Sequence, residues 1–278
     1  MTRVLVLGAH GMLGSALGYH LPRAGFEVST ASRPELDAIS PDFTLIGKLQ
    51  PRAVVNAIGL TNRHLDQAES DFLRINSLFP RRLADWCCAH DLPLIHISTD
   101  CVFKGDAGPY DEHAQADASD VYGLSKYWGE PSNAMVLRTS IVGPELRNYY
   151  SLLCWFLGQS GNVRGYRNHL WNGITTLELA RIIGVLIKGD LCRPGIRHVY
   201  GEDLTKLDLL RLMQAAFEKT GVSIQPWDDV SPRDMRLRTG YPGFLEALAI
   251  QPMNEQLMKL RNFTDARGHW RDGPCTDT

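Results

Sequence analysis

The chain has 278 residues, 44% of them hydrophobic and 22% charged, which excludes a largely disordered polymer and allows one large domain or two closely joined ones. A formal net charge of −2 and the lack of any long basic run argue against nucleic acid as a partner. No apolar run approaches the roughly eighteen residues that cross a bilayer, and MTRVLVLGAHG lacks the shape of a signal peptide, so the expectation is a cytoplasmic protein with no membrane partner.

Val4 to Leu7 is short, apolar and partly β-branched, as suits a parallel strand buried on both faces. Gly8, Gly11, Met12, Leu13 and Gly14 follow, then a helical stretch ending near Pro22. Strand, G-x-x-G-x-x-G and helix form the phosphate-binding turn of a dinucleotide fold, in which glycines admit the pyrophosphate and the helix N-terminus supplies donors. Phe26 to Thr30 is the expected second strand. No acid stands at its end, but Ser32 and Arg33 do, and a guanidinium fits a 2′-phosphate; this favours NADPH over NADH. Asp37 is placed against the adenine edge.

Pro51 to Gly59 reads as another strand, whose small residues Ala57, Ile58 and Gly59 admit a cofactor. Gln67 to His90 has helical periodicity, with a bend expected at Pro80 and Asn76 as a positioning residue. Leu94 to Ile97 is a strand that delivers Ser98 and Thr99 to the carboxyl edge of the sheet, where open α/β folds bind ligands. His96, within it, reads as a satisfied core residue.

Tyr122 and Lys126 stand one helical turn apart and share a face. A phenol beside an ammonium is a proton donor whose acidity its neighbour raises. Thr99 could share the same oxygen, which makes the three a candidate proton-delivery site for a carbonyl. A Tyr and a Lys at this spacing also occur as ordinary surface pairs, so the weight comes from the strand and loop before them.

Met135 to Val142 is one more expected strand. Alternating strands and helices up to residue 143 predict an α/β fold, a Rossmann-type doubly wound parallel sheet. Beyond it come a helix over Tyr149 to Leu157, a polar and aromatic stretch from Asn162 to Asn172, and a helix over Thr176 to Lys188 capped by Thr175 or Thr176. A strand at Arg197 to Tyr200, a helix over Thr205 to Lys219, a strand at Ser223 to Trp227, a basic loop at Ser231 to Arg238 and two short helices complete the series. The organisation expected is a cofactor-binding domain over 1–145, a smaller substrate-binding lobe over 146–264 with a soft boundary that the chain can cross back over, and a polar tail over 265–278. None of the six cysteines forms a C-x-x-C pair and no zinc spacing is present, so no metal is expected.

The glycine turn, Ser98-Thr99-Asp100-Cys101-Val102-Phe103, and Tyr122-Gly-Leu-Ser-Lys126 with Gly129-Glu130 resemble the extended short-chain dehydrogenase/reductase family. Pro109-Tyr-Asp-Glu112, Leu137-Arg-Thr-Ser140 and Trp171-Asn-Gly-Ile-Thr-Thr176 narrow the resemblance to the dTDP-4-dehydrorhamnose reductase group. Cys101 stands where the group usually has Tyr. Asp100-Cys101 replaces the Asp-Glu of sugar-nucleotide dehydratases. The resemblance implies NADPH-dependent reduction of the C4 keto group of a dTDP- or UDP-linked 4-keto-6-deoxyhexose. It assigns Tyr122 as proton donor, Lys126 to the nicotinamide ribose, and Thr99 to the alkoxide. Cys101, Val102, Phe103, Arg138, Trp171, Asn172 and Arg233 are the expected substrate contacts, with Arg164 and Arg167 further candidates for the diphosphate. The alternatives are an epimerase or dehydratase of the wider family, or a non-catalytic NADP-binding regulatory subunit. A homodimer is the commonest assembly for a soluble homo-oligomer.

Overall fold

The computed structural model describes residues 1–33, 35–62, 67–146 and 150–266. Six parallel strands form the central sheet: β1 (Thr2–Leu7), β2 (Phe26–Ala31), β3 (Ala53–Asn56), β4 (Leu94–Ile97), β5 (Met135–Arg138) and, from far down the chain, Gly195–His198. They lie in the order Gly195–His198, β5, β4, β3, β1, β2. The order reverses between β1 and β3, and the crevice that opens there beyond the strand ends is where such sheets take ligands.

Alternation along the strands builds a core on each face. Val4, Val6, Val55 and Ile95 pack under the first helix, Met12–Arg23, and the helix Thr176–Lys188. Leu5, Leu7, Val54 and Leu94 face Ile75, Phe79 and Leu83 on the other side. Residues 176–198 supply one covering helix and one edge strand to the sheet begun by the first half. A separate core of Leu153, Phe156, Leu209, Met213, Leu257 and Phe263 fills the second lobe.

Two expected elements differ. The strand over 135–142 is two strands, because the chain turns at Thr139-Ser140; Ile141–Val142 leaves the main sheet and pairs with Ile174–Thr175. Gly173 permits this, since a β-carbon there would lie 2.3 Å from the Ser140 carbonyl oxygen. The helix over 67–90 is three segments: Glu69–Phe72, a π-helical stretch Leu73–Leu78, and Phe79–Ala89. Pro80 has no N–H to return to the carbonyl of Asn76, and the ladder widens there.

Elsewhere the local chemistry holds. Thr175 caps its helix by accepting from the Glu178 N–H, and Thr205 forms a capping box with Asp208 ahead of Lys206–Ala216. The helix Leu152–Gly158 is capped by Ser151. Part of the expected helix over 149–157, at Tyr149, and the tail from residue 267 fall outside the described residues. The basic loop 231–238 is a strap: Arg233–Asp234 pairs with His169–Trp171, and Leu237 bridges to Tyr110. The last helix, Met253–Asp265, runs 13 residues and is longer than expected.

Candidate active site

At the switch point, Gly8 adopts φ +81° and accepts the Gly11 N–H at 2.9 Å. Its α-carbon lies so close to β3 that a β-carbon would meet the backbone of Ala57 and Ile58 at 3.0 Å. Gly14 is a packing glycine, with no room for a β-carbon against the Gly8 carbonyl. Gly11 caps the first helix without a side chain, so its leading N–H groups face outward unblocked. A cavity of about 450 Å³ opens there, walled by Gly11, Met12 and Leu13, by Ala57, Ile58 and Gly59, and by Ser98, Thr99, Cys101, Tyr122 and Lys126. A smaller one of about 220 Å³ adjoins it along Gly11, Ala57 and Gly59 and runs to Gly8, Ser32 and Arg33. A trough that joins an uncapped helix N-terminus to the end of β2 fits a dinucleotide.

The far end is built from β4 and the helix Val121–Trp128. Asp120 caps that helix by accepting the Gly123 N–H at 3.0 Å. Gly123 lets it approach the turn after β4, since a β-carbon would lie 2.3 Å from the Cys101 carbonyl oxygen. This close approach brings the Tyr122 phenol within hydrogen-bonding reach of Thr99. The Thr99 hydroxyl accepts the Cys101 N–H at 3.1 Å. Lys126 donates to the Ile97 carbonyl at 2.7 Å. Burial pushes its ammonium down to about 8, with Glu130 acting against that. Burial also pushes the Tyr122 phenol up, reinforced by Cys101 and Asp100, while its bond to Thr99 pulls the other way. The expected lowering by Lys126 is absent because desolvation dominates and the ammonium is directed to a carbonyl. The phenol therefore holds its proton, as a donor must.

Asn76 sits on the π-helical stretch, fully buried. It accepts from the Leu60 N–H at 2.9 Å, and donates to the Leu60 carbonyl and to Ser125 Oγ, each at 3.0 Å. It positions the cavity wall and the Tyr122 helix and does not line the cavity. His96 is buried, with Nδ1 held by Asn56 at 3.1 Å. Lack of water and the nearby Lys126 hold it well below its usual range.

Several expected contacts do not reach the cavity. Arg138 is 2% exposed and locked to Glu130, while Val102 and Phe103 are core residues, the latter stacked on Tyr110 at 4.2 Å. Trp171 is buried with the Lys206 ammonium over its ring, and Asn172 is spent on the backbone of Leu237 and on Asp203. Arg233 is exposed on the strap; Arg164 lies over Trp227 and Arg167 pairs with Asp228. Asp37 turns back to the Ile39 N–H and stands 3.9 Å from the exposed Arg33. Sequence reading missed Glu35, whose carboxylate accepts from the Ser32 N–H at 3.0 Å and its hydroxyl at 3.2 Å. The spacing Ser-x-x-Glu was its signal. It also missed Ile141, Glu145, Leu146 and Tyr150, which line the same cavity. Glu145 accepts the N–H groups of Tyr150 and Ser151 at 2.6 and 3.1 Å.

A parallel sheet with a glycine turn at its switch point, and Thr, Tyr and Lys gathered at its edge, defines a protein of the extended short-chain dehydrogenase/reductase class. The sequence model of the family described as RmlD substrate binding domain matches residues 1–236, and the chain belongs to that family. A dTDP-4-dehydrorhamnose reductase of Aggregatibacter actinomycetemcomitans is 30% identical over 220 residues, 73% of this chain and 74% of the relative. One from Mycobacterium tuberculosis is 31% identical over 290 residues, covering 99% of this chain and 91% of its own. Among solved structures, the dTDP-4-dehydrorhamnose reductase of Clostridium acetobutylicum superposes with a TM-score of 0.77 at 19% identity, over 95% of this chain and 100% of that one. That of Bacillus anthracis, solved in complex with NADP, gives 0.75 at 21%, with the same coverage.

Proposed function

We propose that the protein reduces the C4 keto group of a nucleoside-diphosphate-linked 4-keto-6-deoxyhexose, with NADPH, in deoxysugar synthesis. The observation that carries the reading is a phenol, Tyr122, kept protonated beside Thr99 at the end of a trough that begins at an uncapped helix N-terminus. Relatives named dTDP-4-dehydrorhamnose reductase and dTDP-4-keto-6-deoxy-D-glucose reductase support the substrate class.

Gly8 and Gly11 with Met12 and Leu13 would hold the pyrophosphate, and Ser32 with Arg33 the adenosine end. The bound dinucleotide supplies the hydride. The substrate's keto oxygen lies between Tyr122 and Thr99. As charge develops on it, Tyr122 gives up its proton, and the Thr99 hydroxyl turns to donate to the same oxygen. Lys126, positive below about 8, stabilises the phenolate left behind. Proton delivery by a positioned acid is worth roughly 10²- to 10⁴-fold. No described helix is long and apolar enough to cross a membrane, and the reading places the protein in the cytoplasm.

The test follows NADPH and NADH absorbance with dTDP- and UDP-linked 4-keto-6-deoxyhexoses. Consumption that Tyr122→Phe abolishes is the expected result. Binding of NADPH without turnover of any keto-sugar would overturn the proposal in favour of a regulatory subunit.

A further inference from the structure

His10 is the only titratable residue between Gly8 and Gly14. The Gly11 N–H returns to the Gly8 carbonyl at 2.9 Å, and this tight turn leaves His10 exposed at its tip. His10 borders both the larger cavity and the smaller one that adjoins it. The smaller cavity takes in Ser32 and Arg33 after β2, together with the apolar side chains of Leu36 and Ile75. Apolar walls beside a hydroxyl and a guanidinium suit the adenosine end of a dinucleotide. Among the described residues that line this cavity, only Arg33 and His10 can carry positive charge.

We propose that His10 is the second cation for the 2′-phosphate of NADPH, meeting it from the glycine turn while Arg33 meets it from the end of β2. The inference rests on the NADPH-dependent reading of this site and deepens it. A 2′-phosphate brings a charge of about −1.5 to −2 near neutral pH. It arrives beside two carboxylates: Glu35, which holds the Ser32 N–H at 3.0 Å, and Asp37, 3.9 Å from Arg33. Arg33 alone, exposed and shared with Asp37, leaves that end strongly negative. Histidine takes up its proton in a range where a phosphate monoester still carries charge, so an imidazolium at His10 offsets part of the excess. The pyrophosphate has partners of its own in the unblocked N–H groups at the start of the first helix. The other charged groups that border His10's surroundings, Asp100, Lys126 and Glu145, line the larger cavity and act on NADH and NADPH alike.

The experiment measures the dissociation constants of NADPH and NADH, by their fluorescence, for the full chain and for His10→Gln and His10→Lys. It is run at about pH 6 and about pH 8, either side of the ordinary histidine range. NADH is the control, because it lacks only the 2′-phosphate; comparing variants at one pH removes the titration of the phosphate itself. At the lower pH His10→Gln should weaken NADPH about fivefold and leave NADH unchanged. At the higher pH the difference between wild type and His10→Gln should close. His10→Lys should bind NADPH at least as tightly as the wild type at the lower pH and more tightly at the higher. An equal loss for NADH, an equal loss at both pH values, or no loss for NADPH at the lower pH overturns the proposal. A chain that binds neither dinucleotide overturns it together with the reductase reading. If the expected binding pattern appears but no keto-sugar is reduced, the reductase reading fails and the assignment of His10 stands. If keto-sugar is reduced with NADPH and the pattern is missing, the assignment of His10 alone fails.

Discussion

The α-carbon of Gly129 rests on the carbonyl oxygen of Asn76: a β-carbon at residue 129 would lie 1.8 Å from that oxygen. Asn76 holds Leu60 from both sides and reaches Ser125, so this contact ties the Tyr122 helix to the cavity wall. Gly129→Ala must push the helix away. The expected cost is about 1–3 kcal/mol in urea unfolding, with a fall in kcat larger than the change in cofactor affinity.

Under the same edge, Arg138 and Glu130 form a two-pronged pair at 2.8 and 2.7 Å, and Glu130 also accepts from Ser98 Oγ at 2.6 Å. Both side chains are nearly inaccessible. Arg138→Met strands a carboxylate in the interior and should cost about 3–5 kcal/mol. Arg138→Met with Glu130→Leu should cost clearly less, and chemical denaturation of the single and double variants checks the ordering.

Lys126 titrates at about 8 in the native protein, against an ordinary 10.5. Between these values the unfolded chain binds more protons than the native one, so this group makes stability rise with pH through that window, and the contribution is absent below about 8. Activity has the opposite sign, because the reaction needs the ammonium. The kcat/KM profile should therefore fall on an alkaline limb near pH 8 while the melting temperature does not fall with it.

Ser32 offers an N–H and a hydroxyl where the trough meets β2, and Glu35 occupies both. A 2′-phosphate has to compete with that carboxylate, aided by Arg33. Glu35→Gln should raise the NADPH-to-NADH ratio of kcat/KM a few-fold. Arg33→Ala should lower it about tenfold. Steady-state rates with the two cofactors measure both.

What was legible in the sequence was local. The strand, glycine turn and helix at residues 4–22, the strand 94–97, and Tyr122 with Lys126 on one turn all declare themselves through spacing and composition. His96 and Asn76 could be assigned roles because each sits inside a recognisable element. What escaped was made by distance along the chain. Trp171 looks like a ligand platform in the sequence, and only the fold shows Lys206 lying over its ring. Arg138 ends a strand that points at the site, yet Glu130 waits eight residues earlier to bury it. Thr139-Ser140 carries no Gly or Pro to announce the turn, so the break between β5 and Ile141–Val142 depends on Gly173 and could not be read locally.

The sixth strand of the sheet has a bearing on synthesis. When the ribosome has made the glycine turn, Thr99, Tyr122 and Lys126, β5 still lacks its neighbour on one side, and the first helix lacks the apolar cover of Ile182, Ile183 and Leu186. Both arrive only with residues 176–198. Every residue of the proton-delivery site is therefore made before the sheet beneath it can close, and a nascent chain halted near residue 145 exposes an open strand edge to whatever lies nearby.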